Sequence, residues 1–156
     1  MSNVIRYDSL LVRHLAAELD ERLRRRRVTA LGLDPARRRA VLDLDGEALI
    51  LELHPTAGTV LVGPTPPLPD PVRLARRTIV VGVEALPDER VLRVALAAQG
   101  RARDRPRRLI VELLANQMNL AVLDADDRIL GVLWPRTAGG RELRAGLTYE
   151  PPPPAG

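Results

Sequence analysis

The sequence predicts an α+β domain that is mainly β: an antiparallel β-sandwich or flattened barrel with one N-terminal helix laid against it. Three observations predict it. Residues 107–134 (RRLIVELLANQMNLAVLDADDRILGVLW) hold three apolar runs, 109–114, 120–123 and 129–134, each of strand length and short for a helix. Asp45-Gly46 stands between two apolar segments, a strong signal for a two-residue hairpin. Sustained helical periodicity is confined to residues 10–27, and the rest of the chain is short apolar segments punctuated by Pro, Gly and Asp.

Asp8-Ser9 reads as a helix N-cap. From Leu10 onward, Val12, Leu15, Leu19 and Leu23 form an apolar stripe, widened by Leu11 and Ala16. Glu18–Arg22, Asp20–Arg24 and Glu21–Arg25 place acid before base at i, i+4, the favourable order. The helix ends in Arg24-Arg25-Arg26-Arg27, cations where the helix dipole favours them. Residues 28–33 are a short strand closed by Asp34-Pro35. After Arg37-Arg38-Arg39 come the strand 40–44, the Asp45-Gly46 turn and the returning strand Glu47–Leu53. Alternation there puts Ala48, Ile50 and Glu52 on one side and Leu49, Leu51 and Leu53 on the other.

His54-Pro55 ends that strand, and 59–62 is a further one. Residues 63–71 (GPTPPLPDP) form a proline-rich connection of polyproline character, a connector in preference to a ligand for proline-binding domains. Asp70-Pro71 is expected to cap a short helical segment through 74–77. Residues 79–83 and 91–98 are strands separated by Pro87-Asp88-Glu89-Arg90, and residues 100–108 are a loop dense in arginine. In the meander that follows, the weak alternation implies cover on both faces, and the acids at 124–127 bond their own backbone in a turn. Residues 135–140 read as loop, 141–149 as a turn or short helix. That makes roughly eight strands. Residues 1–150 are expected to form the domain and 151–156 a proline-rich tail or the start of a linker.

Composition narrows the function. The 156 residues make one domain with a real core. There is no Cys, and His14 and His54 are the only histidines, so neither a disulfide nor a multi-histidine metal site is expected. No apolar run approaches the ~20 residues of a membrane span, and no signal-peptide pattern opens the chain; a cytoplasmic protein is expected. The only serines, Ser2 and Ser9, lie in no nucleophile elbow, and phosphate-cradling glycine motifs are absent. The paired acids Asp43/Asp45, Asp88/Glu89 and Asp124/Asp126/Asp127 all fall at turns, where carboxylates are structural. No catalytic residue, metal or cofactor is expected, and the chain reads as a non-enzyme.

Charge is more informative. All 24 basic residues are Arg, the net charge is +4 and the pI is near 10.8. A GC-rich coding sequence would also favour Arg, but the guanidinium binds phosphate through a bidentate fork whatever its origin. Two readings of Arg24–Arg27 stand: a solvated basic turn, or a phosphate-facing patch containing Arg25, Arg26 and Arg27. The loop residues Arg101, Arg103, Arg105, Arg107 and Arg108 outnumber the one local acid, Asp104, so most must face solvent or an anionic partner. Phe is absent and Tyr7, Trp134 and Tyr149 are the only aromatics, which disfavours a base-stacking platform. Glu89-Arg90, acid and base together at a strand start, reads either as a self-paired turn or as an arginine for a phosphate or base edge with an acid to orient it.

The ordered set of motifs resembles the NFACT-N domain, the N-terminal part of RqcH, NEMF and the bacterial fibronectin-binding protein A family. The run LIVELLANQMNLAVLDADDRIL resembles the family's Leu-Ile-x-Glu-Leu followed by Asn and a strand ending in Asp, matched by Glu112, Asn119 and Asp124. The run RELRAGLTYEPP (141–152) is similar to the family's Arg-x-x-x-x-Gly-x-x-Tyr-x-x-Pro-Pro, with Arg144-Ala145 replacing the usual Leu-Pro. Asp8-Ser9-Leu10, Glu18-Leu19, Arg27-Val28 and His54-Pro55 are weaker matches in the same order. The resemblance implies a fold similar to the N-terminal domain of formamidopyrimidine-DNA glycosylases. It implies a role in ribosome-associated quality control, with tRNA and the large ribosomal subunit as partners. The family's functional Asp-Arg pair falls on Glu89-Arg90, the acid here one methylene longer. These 156 residues do not include the helical-hairpin region, coiled coil and C-terminal domain of full-length members, so they are read as an excised domain or a small stand-alone relative and are not expected by themselves to extend stalled chains. Two alternatives compete: a protein-interaction scaffold in a drifted stand-alone relative, and an inactive glycosylase-like DNA-binding domain. For glycosylase activity itself, the N-terminal proline nucleophile followed by Glu is replaced by Met1-Ser2-Asn3.

Overall fold

Two meanders share one aliphatic core, and a single helix closes it. The computed structural model describes residues 7–55, 57–68, 71–73, 77–87, 89–98, 105–114, 117–138 and 140–152. Helix α1 spans Ser9–Leu23. The strands are β1 Ala30–Asp34, β2 Arg39–Leu44, β3 Glu47–Leu53, β4 Gly58–Gly63, β5 Val72–Arg73, β6 Ile79–Ala85, β7 Val91–Ala97, β8 Arg108–Glu112, β9 Asn119–Leu123, β10 Ile129–Val132, β11 Arg136–Ala138 and β12 Arg141–Leu143. The first sheet has the order β4-β3-β2-β1-β5, the second β10-β9-β8-β7-β6, and β11-β12 is a separate ribbon. Neither sheet closes into a barrel, so the predicted mainly β, α+β class takes its sandwich form.

The predicted hairpin is present. Asp45 (φ 27°) and Gly46 (φ 102°) both carry positive φ, as a turn that follows the twist of the flanking strands requires. The β2–β3 register pairs Leu42 with Leu49 and Leu44 with Glu47. Leu49, Leu51 and Leu53 face the core, as the alternation predicts, while Ile50 and Glu52 are half-buried on the other side. The core joins these leucines to Leu92, Val94, Leu109, Val111 and Leu120 of the second sheet and to the helix.

Asp8 caps the helix, accepting the Leu11 N–H at 2.7 Å. The buried stripe is Val12, Ala16, Leu19 and Leu23; Leu15 is half-buried. Leu11, expected to widen the stripe, is 38% exposed instead, because it lies on the flank turned from β6. Beyond the helix the arginine run becomes a connector. The Arg25 N–H donates to Val80 O at 2.8 Å, the Val80 N–H to Arg26 O at 2.9 Å and the Val28 N–H to Thr78 O at 2.9 Å. The chain then crosses to β1.

The helix is anchored by Asp20. Its Oδ1 accepts the Val83 N–H at 2.8 Å, at a register shift between Val80 and Gly82, and its Oδ2 pairs with Arg24 at 2.6 Å. Any side chain at 82 would crowd that carboxylate, since a Cβ there would lie 3.0 Å from Oδ1. Asp20→Ala is expected to cost about 1–2 kcal/mol in urea unfolding. The Val83 N–H first, and Arg24 after it, hold the Asp20 carboxyl below its ordinary range against the opposing effect of burial. Its contribution is therefore present above the unfolded pKa and lost as pH falls through the lower folded value. Asp20→Ala should flatten the stability curve below about pH 4.

Three sequence expectations are corrected. The sequence predicts a turn or short helix over 141–149, but Arg141–Leu143 is β12; its partner Arg136–Ala138 is a strand inside the predicted loop 135–140. Val72–Arg73 pairs with β1 where the sequence predicts the start of a capped helical turn; Asp70 and residues 74–76 of that predicted segment lie outside the described residues. The described strands number twelve instead of roughly eight. All three differences come from strands of two or three residues, too short to show a period.

Candidate functional site

The second sheet is covered on both faces, as its unbroken apolar runs predict. On its outer face Val91, Ile110, Ala121, Leu123 and Ile129 form a second cluster with Leu143 of β12, flanked by Tyr149. The C-terminal segment that provides this cover turns at Gly146, whose φ of 94° favours glycine.

Polar groups are set into this layer. Among the described residues the buried polar or charged ones are Thr78, Glu112, Asn119 and Asp124, so three of these four are the residues that carry the family resemblance. Each has a definite task. Asp124 Oδ1 accepts the N–H groups of Asp126 (2.8 Å) and Arg128 (2.9 Å) and shapes the β9–β10 turn. Asn119 bonds both main-chain groups of Trp134: Nδ2 donates to its carbonyl at 2.7 Å, and Oδ1 accepts its N–H at 3.0 Å.

Glu112 joins the two motifs. Arg141 Nη2 donates to its Oε1 at 2.6 Å and Oε2 at 2.8 Å, and the Tyr149 hydroxyl donates to Oε2 at 2.5 Å. Burial pushes the Glu112 carboxyl above its ordinary range, against the pull of Tyr149 and Arg141. Burial, with the Glu112 charge behind it, pushes the Tyr149 phenol far up, so it stays protonated and donates. A recess of about 20 Å³, room for little more than a water molecule, opens beside the pair among Glu112, Gln117, Arg136, Arg141 and Leu143.

Glu89 and Arg90 lie at the edge of this cluster. Their segment is a tight connection between β6 and β7, closed by Glu89 N–H to Leu86 O at 3.3 Å and Leu86 N–H to Val91 O at 3.0 Å. The Leu113 N–H bonds Arg90 O at 2.8 Å and ties the connection to the end of β8. The Glu89 charge also helps to keep the Tyr149 proton in place. Glu89 Oε2 and Arg90 Nε are enclosed and make no hydrogen bond among the described residues. An enclosed polar atom without a partner costs roughly 1–3 kcal/mol, so a fold retains few of them.

The other predicted cations are dispersed. Arg26 is committed to the fold, with Nη1 on Glu47 at 2.6 Å and Nη2 on Leu44 O at 3.2 Å, whereas Arg25 and Arg27 are exposed. Arg108 pairs with Asp127 at 2.7 Å, and Arg107 Nη1 reaches Ala98 O at 3.1 Å. Arg105 is half-buried; Arg101 and Arg103 lie outside the described residues. Sequence reasoning missed that Arg38 stacks on Trp134, its guanidinium carbon 3.6 Å from the ring centroid. The described residues contain no group of three His, Cys, Asp or Glu able to hold a metal, and no helix among them is long and apolar enough to cross a membrane.

No protein-family model matches this chain. No curated protein matches it either. Among solved structures, the N-terminal domain of the fibronectin-binding protein PavA from Streptococcus pneumoniae superposes with a TM-score of 0.76 at 21% identity, over 94% of this chain and 62% of that one. The fibrinogen binding protein from Staphylococcus aureus superposes with a TM-score of 0.72 at 19% identity, over 96% of this chain and 57% of that one. The chain thus spans about three fifths of those chains. At this identity the similarity concerns the fold: two antiparallel sheets and an N-terminal helix arranged as in the N-terminal domain of PavA.

Proposed function

We propose that this chain is a non-catalytic RNA-binding module of the NFACT-N type, which contacts tRNA and the large ribosomal subunit in the cytoplasm during rescue of stalled nascent chains. The observation that carries this reading is the Glu89-Arg90 connection. It falls where the resemblance puts the family's functional acid–arginine pair, and it keeps an enclosed carboxylate oxygen and an enclosed guanidinium nitrogen without partners in the fold. The motif residues Glu112, Arg141 and Tyr149 brace the surface beside it. The exposed Arg25 and Arg27 are assigned further phosphate contacts, at the far end of β7 from Arg90.

The test is fluorescence anisotropy with labelled tRNA, duplex DNA as competitor and a salt series. The expected result is saturable binding that prefers tRNA, with log K falling by about 0.7–0.9 per phosphate contact for each decade of salt. Arg90→Ala should weaken it roughly tenfold, the loss of one charged hydrogen bond. Equal, weak binding to both nucleic acids, unchanged in Arg90→Ala, would reduce the arginines to generic surface charge. The second reading, a protein partner, would then take its place, in keeping with the names of the structural neighbours as fibronectin- and fibrinogen-binding proteins.

A further inference from the structure

The chain has one tryptophan, and it is not spent on the core. Trp134 is 41% exposed, at the end of the strand β10 run, with the Arg38 guanidinium stacked on its ring. Both halves of the stack are held by main chain. Asn119, itself 1% exposed, grips the N–H and the carbonyl of Trp134. Arg38 sits in the left-handed region (φ 52°) with its N–H on Pro35 O at 3.1 Å and its carbonyl accepting the Leu53 N–H at 2.7 Å. A greasy side chain that merely needed cover would not require a buried asparagine to fix the backbone beneath it.

The location matters as much as the build. Val91, Glu112 and Asn119 are cross-strand partners, so Arg90, Glu112 and Trp134 lie in a row along one end of the second sheet. Three strand spacings put Arg90 and Trp134 on the order of 15 Å apart. Arg136 and Arg141 line the recess between them. Arg37, adjacent to Arg38, has a side chain 72% exposed and only a 3.9 Å contact with Asp34. An exposed indole flanked by guanidinium groups offers a base a π-face and its phosphates a cation.

We infer that the Arg38–Trp134 stack is a second RNA contact, on which an unpaired nucleobase stacks while Arg90 and its neighbours hold the adjoining backbone. This inference rests on the RNA-binding reading above. It modifies the expectation from composition, since one placed ring suffices where a row of aromatics is absent.

Because Trp134 is the only tryptophan, its emission reports this site alone. The experiment titrates the protein with tRNA and follows two signals: anisotropy of labelled tRNA, which reads binding anywhere, and Trp134 emission with unlabelled tRNA. The expected result is quenching with the same midpoint as the anisotropy. Trp134→Ala and Arg38→Ala should each bind roughly tenfold more weakly, whereas Trp134→Phe keeps most of the affinity. Circular dichroism confirms the fold of each variant, and Asn119 still grips the backbone when the indole is gone. If anisotropy rises while the emission stays flat and Trp134→Ala binds like the wild type, the stacking site is refuted and the RNA-binding reading stands. If anisotropy does not rise at all, both fall.

Discussion

Replacing Glu112 by Ala should lower the free energy of unfolding by about 3–5 kcal/mol, the largest single effect expected outside the aliphatic core. The side chains of Glu112 and Arg141 are 3% and 15% exposed, so the truncation strands a guanidinium largely shielded from water. It also removes the acceptor of the Tyr149 hydroxyl. Glu112→Gln should be milder, about 1–2 kcal/mol, because the amide oxygen still accepts from Arg141 or Tyr149. It removes a carboxylate that burial disfavours, as the raised pKa shows, but leaves the Arg141 guanidinium without its counter-charge, so part of the loss remains. Combining Glu112→Leu with Arg141→Met and Tyr149→Phe should recover much of the loss, since well-packed apolar groups replace buried ion pairs with little penalty. Urea unfolding monitored by circular dichroism checks the series. A Glu112→Ala variant as stable as the wild type would show that the pair is solvated and that the C-terminal segment is held by apolar contact alone.

Asn119→Ala should cost about 2–3 kcal/mol, because one side chain satisfies the N–H and carbonyl of Trp134 and also accepts the Leu120 N–H at 2.9 Å. Asn119→Asp should be no better, since a carboxylate cannot donate to the Trp134 carbonyl and brings an uncompensated charge to a position 1% exposed. Both changes should also free the indole, lowering the steady-state anisotropy of Trp134 emission in the folded protein. Loss of stability with unchanged emission anisotropy would locate the rigidity of the ring in the Arg38 stack rather than in the asparagine.

What the sequence reveals and conceals follows from range. The β2–β3 hairpin was legible because Asp45-Gly46 and the alternation of Glu47–Leu53 are local signals that agree. The meander 109–134 was legible for the same reason, down to its cover on both faces. The strands β5, β11 and β12 were not, since elements of two or three residues carry no period. At the site, Glu89-Arg90 could be singled out as an acid–base step at a strand start, but its surroundings could not. Glu112 meets Arg141 and Tyr149 across 29 and 37 residues, and no local pattern foretells such a meeting. Glu112, Asn119 and Asp124 had a detectable signal, being polar residues inside or beside apolar runs, and each proves to be buried and satisfied. The Arg38–Trp134 stack had none: Arg38 reads as one of three consecutive arginines, and the turn that places it is visible only in three dimensions.

The connectivity of the two meanders bears on how the chain assembles. Within each sheet nearly every pairing joins strands adjacent in sequence, so loops to be closed are short and little entropy is lost before contacts form. The exceptions are the β1–β5 pairing and the helix. Its anchor on β6, Asp20 to Val83, spans 63 residues, and the Arg25–Val28 segment joins the same edge by main-chain bonds. This topology favours an order in which each sheet zips from its own hairpins and the amino-terminal helix seats last. Helix docking is then the step that closes one of the longest loops in the fold and so carries a large share of the closure entropy.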